Sequence, residues 1–303
     1  MLTSRFTDTL LTKLLSQWDP AARAALQDAL RPERGGRVAP EVVTRLAQGK
    51  NIDTVMTELL PIASTYSRAP ISKFFVGAFA QGATGALYPG GNFEVPQNGL
   101  NQAIHAEQSA IANAFGHGET GIKAIAVTAA PCGHCRQFLN EIAGGEEIRI
   151  LTLDGQATPL KSLLPSSFGP KDLHQKDAMF TSATTPLRFV TTGADAAAQR
   201  ALEAAERSYA PYSKAPSGCA IETTSGLIVS GSYLENAAFN PTLAPLQSAL
   251  VSMVMHQEEP ADIKHVVLVE MTGATISHQA ESRMVLAALA PRASFDLITA
   301  VAR

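Results

Sequence analysis

The chain has 303 residues, enough to bury a large core and to make two domains of ordinary size, and 46% of them are hydrophobic. Its 24 Lys and Arg against 27 Asp and Glu give a formal charge of -3, and no long basic run is present to track a phosphate backbone, which disfavours a nucleic-acid partner. No segment approaches the roughly eighteen unbroken apolar residues of a membrane span, and the N-terminus lacks the apolar core and cleavage site of a secretory signal, so no membrane partner is expected. Three cysteines, Cys132, Cys135 and Cys219, do not make a secreted disulfide framework; a reducing, cytoplasmic setting suits them better.

Residues 5 to 31 read as helical, with Leu10, Leu11, Leu14 and Leu15 on one face and Asp19-Pro20 as an interruption or a new start. Val42, Val43 and Leu46, then Ile52, Val55, Leu59 and Leu60, suggest two further short helices. Residues 74–80 have strand composition, Gly82 to Gly85 turns them into Ala86-Leu87-Tyr88, and Gly90-Gly91-Asn92 is expected to break the chain. A helix is expected over about 102–115, with His105 and Glu107 near its first turn. A strand over 122–129 leads to a second helix at Pro131 that carries Cys132 and Cys135, and 148–153 supplies another strand. Helices covering an apolar sheet make a layered α/β domain. From Gly155 to Thr192 the periodicity weakens, which suits an ordered arm and a connection.

The second half repeats the first. At a constant offset of 141, Ser67, Ala69, Pro70, Ser72, Lys73, Gly77, Gly85, Gly90 and Glu94 meet identical residues at Ser208, Ala210, Pro211, Ser213, Lys214, Gly218, Gly226, Gly231 and Glu235. A two-residue shortening then aligns Gln108-Ser109-Ala110 with Gln247-Ser248-Ala249. Ala244 thereby falls opposite His105 and Leu246 opposite Glu107, and no Cys-x-x-Cys follows, so the repeat keeps the fold and loses the chemistry. The expected domains are a helical region over 1–50, a catalytic domain over 51–155, an arm and connection over 156–191, and a degenerate domain without a zinc site over 192–303.

Cys132 and Cys135, three apart at a helix start, can direct both sulfurs to one ion, with His105 arriving from another helix; a fourth position is left for water or hydroxide. One catalytic Zn²⁺ per chain is expected. A redox pair would leave His105 and Glu107 unexplained, and a structural four-cysteine site lacks its second pair. His134 competes as the nitrogen ligand, but its place between the cysteines can turn it away. Glu107, two residues from His105, is free to move protons between water and substrate; helix capping is its plainer use. Arg136 could orient a thiolate or make a surface ion pair, and Cys219 reads as a small buried thiol.

HxE followed by PCxxC is the signature of zinc nucleobase deaminases. With HAEQSAI, PCGHCRQF, ISKFFVGA, GGNFE, FGPKDL, PYSKAPSG and ENAAFNPTL, the chain resembles the free-nucleoside cytidine deaminase family over nearly its whole length, in the long form with one active and one degenerate domain. The resemblance implies hydrolysis of cytidine and deoxycytidine to uridine and deoxyuridine with release of ammonia, in pyrimidine salvage. It also implies a homodimer, Asn92 and Glu94 on the sugar hydroxyls, Phe74 against the nucleoside, Ala106 offering backbone groups to the pyrimidine edge, and Phe168 reaching the neighbouring chain's site. Without it, Asn92 reads as a turn residue, Glu94 as solvent-facing, and Phe74 and Phe168 as packing residues. Ala129 and Ala130 replace the aromatic or hydroxyl residues of close relatives. Two other functions remain: a deaminase of nucleotides or of another nucleoside, which would place basic residues around the pocket if phosphate were bound, and a non-catalytic zinc-stabilised binding protein, which would hold metal without releasing ammonia.

Overall fold

Two five-stranded sheets, laid down one after the other along the chain, form the frame of the computed structural model, which describes residues 13–16, 18–190 and 195–303. Leu10 and Leu11, and with them the first part of the helix expected over 5–31, lie outside those residues. Asp19-Pro20 proves to be a helix start: the Asp19 carboxylate accepts from the amides of Ala21 and Ala22 at 2.8 and 3.1 Å, and Pro20 takes the first position of α1 (Pro20–Ala29). α2 (Pro40–Ala47) and α3 (Ile52–Ala63) follow.

The first sheet runs β2 (Leu87–Gly91), β1 (Gly77–Gly82), β3 (Ile122–Val127), β4 (Arg149–Leu151), β5 (Ala157–Pro159), with only β3 and β4 parallel. Alternation sorts its side chains. Ala78, Ala80, Ile125 and Val127 face one core with α4 (Ala106–Gly116), while Phe79, Ala124 and Ala126 face another built by α1 to α3. β1 begins three residues later than its composition suggests, because the Asn92 side chain takes the Phe74 carbonyl and the Val76 amide and holds 74–76 out of the ladder. Gly90 and Gly91, expected to break the chain, instead lie inside β2. A Cβ on Gly90 would stand 2.2 Å from the Ala110 nitrogen, so their smallness seats the strand against α4.

α5 (Gly133–Leu139) follows β3, and α6 (Leu160–Leu163) follows β5. After β6 (Leu187–Phe189), the boundary expected at 191–192 falls on residues outside those described. The pattern then recurs as α7 (Ala196–Glu206), β7 (Ser217–Thr223), β8 (Ile228–Ser232), α8 (Pro245–Met255), β9 (Ile263–Met271), α9 (Gln279–Leu289) and β10 (Ser294–Ala302). The second sheet is ordered β8-β7-β9-β10-β6 with the same strand directions as the first, although its edge strand β6 precedes the unit in the chain whereas β5 follows β4.

The repeat holds to the residue. Ala78 pairs with Val127 and Cys219 with Leu268, each 141 positions on, and the irregularity at Gln81/Gly82 recurs at Glu222/Thr223. Lys73 and Lys214 share a left-handed φ of 58° and 56°. α4 and α8 pack together, and one apolar core, including Ala110 and Ile111 with Leu250 and Met253, runs unbroken through both halves. The junction is crosswise: Gln108 donates to the Pro241 carbonyl at 3.0 Å and Gln247 to the Gln102 carbonyl at 3.2 Å. Both pairs have the 139-residue offset of the shortened repeat, so the two halves meet about an approximate two-fold axis. No helix among the described residues is long and apolar enough to cross a membrane.

A Cβ on Gly231 would stand 2.1 Å from the Ala249 nitrogen, mirroring Gly90. Gly90→Ala and Gly231→Ala are each expected to destabilise the protein by about 1–3 kcal/mol, the usual cost of overpacking. Urea denaturation checks this; wild-type stability in either variant would mean that the strand and helix can separate freely.

Candidate active site

Two helix starts converge on one point. His105 caps α4 with extended backbone (φ -82°, ψ 156°), and its amide donates to Gln108 Oε1 at 3.1 Å, which fixes where the ring begins. Cys132 caps α5 in the same way (φ -72°, ψ 169°), so the helix starts two residues after Pro131 and Cys135 comes in its first turn. Among the described residues Arg136 has no hydrogen bond to either sulfur and no ion pair. It donates to the carbonyls of Pro131 and Leu163, both at 2.9 Å, and so ties down the segment leading into Cys132.

His105 Nδ1 lies 3.4 Å from Cys132 Sγ and 3.3 Å from Cys135 Sγ, and the sulfurs are 3.7 Å apart. A tetrahedral zinc with ordinary bond lengths sets its sulfurs about 3.8 Å apart and its sulfur and nitrogen about 3.6 Å apart. The three donors therefore fit the ion, and among the described residues no other His/Cys/Asp/Glu group has that potential. The contact with Cys135 and the charge of His105 bring Cys132 down to about 4, against burial, while the contact with Cys132 and burial push Cys135 up. A sulfur pair sharing one proton in this way suits a divalent cation, which takes the proton's place. His134 turns away from the donors and stacks on the His105 ring, centroids 5.2 Å apart. Burial holds its imidazole below the usual range.

A cavity of about 290 Å³ opens beside these donors, lined among others by Phe74, Asn92, Glu94, Ala106, Glu107, Ala129 and Ala130, and by no Lys or Arg. Glu107 is 4% exposed, and burial raises its carboxyl above the usual range. Ala106 is fully buried at the first helical position, leaving its backbone as the useful part. Burial acts to raise Glu94, but the Ser72 hydroxyl and the amides of Ser72 and Ile71 outweigh it and hold the carboxyl below its usual range. Asn92 Oδ1 accepts from Ser67 and Val76, and its Nδ2 donates to the Phe74 carbonyl. Phe74 stands 61% exposed at the mouth. Phe168, 45% exposed, is not among the lining residues of its own chain's cavity; Gln137 and Asn140 hold its carbonyl on the arm.

The Ser67 hydroxyl holds Asn92 and the Ser72 hydroxyl holds Glu94, and neither serine is among the site residues expected from the sequence. Their identity with Ser208 and Ser213 in the repeat was the available signal. A larger cavity, about 520 Å³, lies between the halves, lined by Ala244 and Glu235 of the second and by Gln102 and His134 of the first, but by no cysteine. The donor set, and not volume, distinguishes the chemical site. Cys219 is buried in β7, and burial pushes its thiol up.

Residues 50–150 match a family model described as "Cytidine and deoxycytidylate deaminase zinc-binding region", and residues 160–283 match a second model with the same description. The second span has Cys219 as its one cysteine, and the metal-capable group lies wholly in the first. The chain is 46% identical to a curated cytidine deaminase of Cronobacter sakazakii, over 88% of this chain and 92% of that one. It is 44% identical to one of Vibrio vulnificus, over 80% and 82%, and 41% identical to one of Aliivibrio fischeri, over 94% and 96%.

His105→Ala and Cys135→Ser are expected to lower zinc content from one per chain to near none, while His134→Ala and Cys219→Ser keep it. Elemental analysis of the purified variants decides; loss of metal from His134→Ala would make His134 the nitrogen ligand.

Proposed function

The chain belongs to the cytidine deaminase family, and from that premise we propose that it hydrolyses cytidine and deoxycytidine to uridine and deoxyuridine, releasing ammonia in pyrimidine salvage. The observation that carries the proposal is Glu107, buried beside a His–Cys–Cys donor set in a cavity of nucleoside size. Zinc held by His105, Cys132 and Cys135 supplies a Lewis acid that lowers the pKa of water at the site. Glu107 takes a proton from the attacking water, gives it to the ring nitrogen next to the amine-bearing carbon, and passes a second to the departing amine. A water is consumed and ammonia released, so a carbonyl replaces the amine. Backbone groups at Ala106 hold the pyrimidine edge.

A count of hydrogen-bonding capacity supports the sugar assignment. Asn92 Oδ1 spends its acceptor capacity on Ser67 and Val76, and Nδ2 keeps one hydrogen after Phe74. Glu94 receives three donors from Ile71 and Ser72, which leaves about one of a carboxylate's roughly four lone-pair sites. One spare donor beside one spare acceptor suits a hydroxyl, which does both. The absence of Lys and Arg from the lining favours an unphosphorylated sugar over a nucleotide.

Phe74 packs against the nucleoside at the mouth. Phe168 enters the partner's site in a homodimer, a reading supported by its exposure and by its absence from the lining of its own chain's cavity. A reducing cytoplasm keeps Cys132 and Cys135 available as thiolates.

Zinc-loaded protein is expected to convert cytidine and deoxycytidine with loss of ultraviolet absorbance and release of ammonia, and to be far slower on cytidine monophosphate and adenosine. Glu107→Gln should keep zinc and fold and lower kcat by at least about 100-fold. Turnover at wild-type rate in that variant would remove Glu107 from proton transfer; bound zinc with no turnover of either nucleoside would favour a binding protein.

Glu94→Gln is expected to cost about 10–100-fold in kcat/KM for cytidine, the range for a hydrogen bond to a charged group. With 2′,3′-dideoxycytidine, which lacks those hydroxyls, the cost should nearly vanish. Equal losses on both substrates would assign Glu94 to loop structure alone.

A further inference from the structure

Glu141 is fully buried although no part of the chemistry needs it. It lies two residues beyond the end of α5, the short helix that carries both cysteines, and all its side-chain partners come from the other half of the chain. Glu141 Oε1 accepts from the Tyr209 hydroxyl at 2.7 Å and from the Tyr212 hydroxyl, and Oε2 accepts from the Ala237 amide at 2.8 Å. One turn earlier, Asn236 Nδ2 donates to the Gln137 carbonyl at 2.9 Å, and Gln137 Nε2 reaches back to Asn236 Oδ1 at 3.4 Å. Asn236 is itself fully buried.

The gripping residues stand where the first half carries other side chains. At the offset of 141, Tyr209 lies opposite Arg68, Tyr212 opposite Ile71, and Asn236 opposite Val95. The backbone roles are nevertheless shared. Arg68 donates to Asn92 and accepts from Glu94, and Tyr209 does the same with Tyr233 and Glu235. The second half has thus kept the loop geometry of a deaminase domain and turned its side chains outward onto α5.

A seven-residue helix has too few turns to fix its own direction. Arg136 secures its entry at Pro131 and Leu163, and Gln137 also holds the Phe168 carbonyl at 2.6 Å, whereas every side-chain hydrogen bond of Glu141 comes from the other half. We infer that Glu141, with Asn236, is a positioning residue for the metal site, through which the degenerate domain sets the angle at which Cys132 and Cys135 meet His105. This rests on the reading of α5 as the zinc-bearing helix.

The test uses full-length protein loaded with zinc or cobalt. Glu141→Gln keeps the volume and removes a strong acceptor, and Tyr209→Phe removes one donor only. Gln257→Asn serves as a control, shortening a side chain that bonds the Leu30 carbonyl across the molecule and away from α5. Glu141→Gln is expected to speed zinc release to a chelator by about tenfold and to lower kcat by a similar factor with KM nearly unchanged, the scale seen for groups that orient metal ligands. Its cobalt–thiolate absorption should shift, Tyr209→Phe should show a smaller change in the same direction, and Gln257→Asn should leave spectrum and release rate as in wild type. Wild-type protein that takes up no cobalt would overturn the metal site and this inference together. A normal wild-type spectrum, with folded Glu141→Gln and Tyr209→Phe indistinguishable from it in spectrum and zinc release, would overturn the inference alone.

Discussion

The capping positions of α4 and α5 carry His105 and Cys132, so the amide-rich starts of two helices point at the place where the three donor atoms meet. Unsatisfied amides and the positive end of a helix dipole favour negative charge, and thiolate is the form in which cysteine ligates. Cys135, in the first turn of α5, is buried. The remaining architecture can be followed from this convergence. β1 and β3 carry the apolar face on which α4 lies, Gly90 lets β2 approach α4 closely, and β3 delivers the chain through Thr128 to Pro131 at the mouth of α5. A shift at any of these contacts is transmitted to the three donors, because each helix begins at the residue that does the work.

The second half makes the arrangement rigid. Ala244 and Leu246 remove both ligand and acid, yet α8 still lies on α4 and the Gln247 and Gln108 side chains still cross to the opposite chain segments. Leu250 and Met253 of this domain share one unbroken core with Ala110 and Ile111 of α4. Replacing a catalytic histidine by alanine in a duplicated domain costs little once that domain's remaining task is to be a surface. The side chains of Tyr209, Tyr212 and Asn236 cross to the segment at and just beyond α5, and Arg68, opposite Tyr209 in the repeat, crosses the other way to Glu259.

Much of this was legible in the sequence because the two halves could be read against each other. The 141-residue offset located β1, β2, β7 and β8 in register, and the slip to 139 at Gln108 and Gln247 anticipated equivalent helix starts. The donor trio was legible because few residue types bind zinc and their spacing is restrictive. Reading failed where a distant partner overrode local preference. Gly90-Gly91 looked like a break since nothing local shows that a helix needs the missing Cβ. Residues 74–76 looked like strand since the competing acceptor and donor sit on Asn92. Glu141 was passed over entirely. A lone glutamate after a helix carries no pattern, and its three donors lie 68 to 96 positions away.

The paired motifs also separate scaffold from specificity. Glu94 and Glu235 both gather the amides of the preceding loop, so that carboxylate serves the fold in both halves and its identity in the repeat says nothing by itself about substrate. The difference lies in the neighbours. Beside Glu94 stands Asn92, with one hydrogen still to give; beside Glu235 stands Tyr233, its ring tilted at 59° against His278 with centroids 4.3 Å apart. A hydroxyl on the substrate needs both a donor and an acceptor in reach, and only the first half offers the pair from the same two positions. The metal-capable trio and the Asn92–Glu94 pair therefore occur together in the first half, while the carboxylate is kept in both because it gathers the same two loop amides and so shapes the loop.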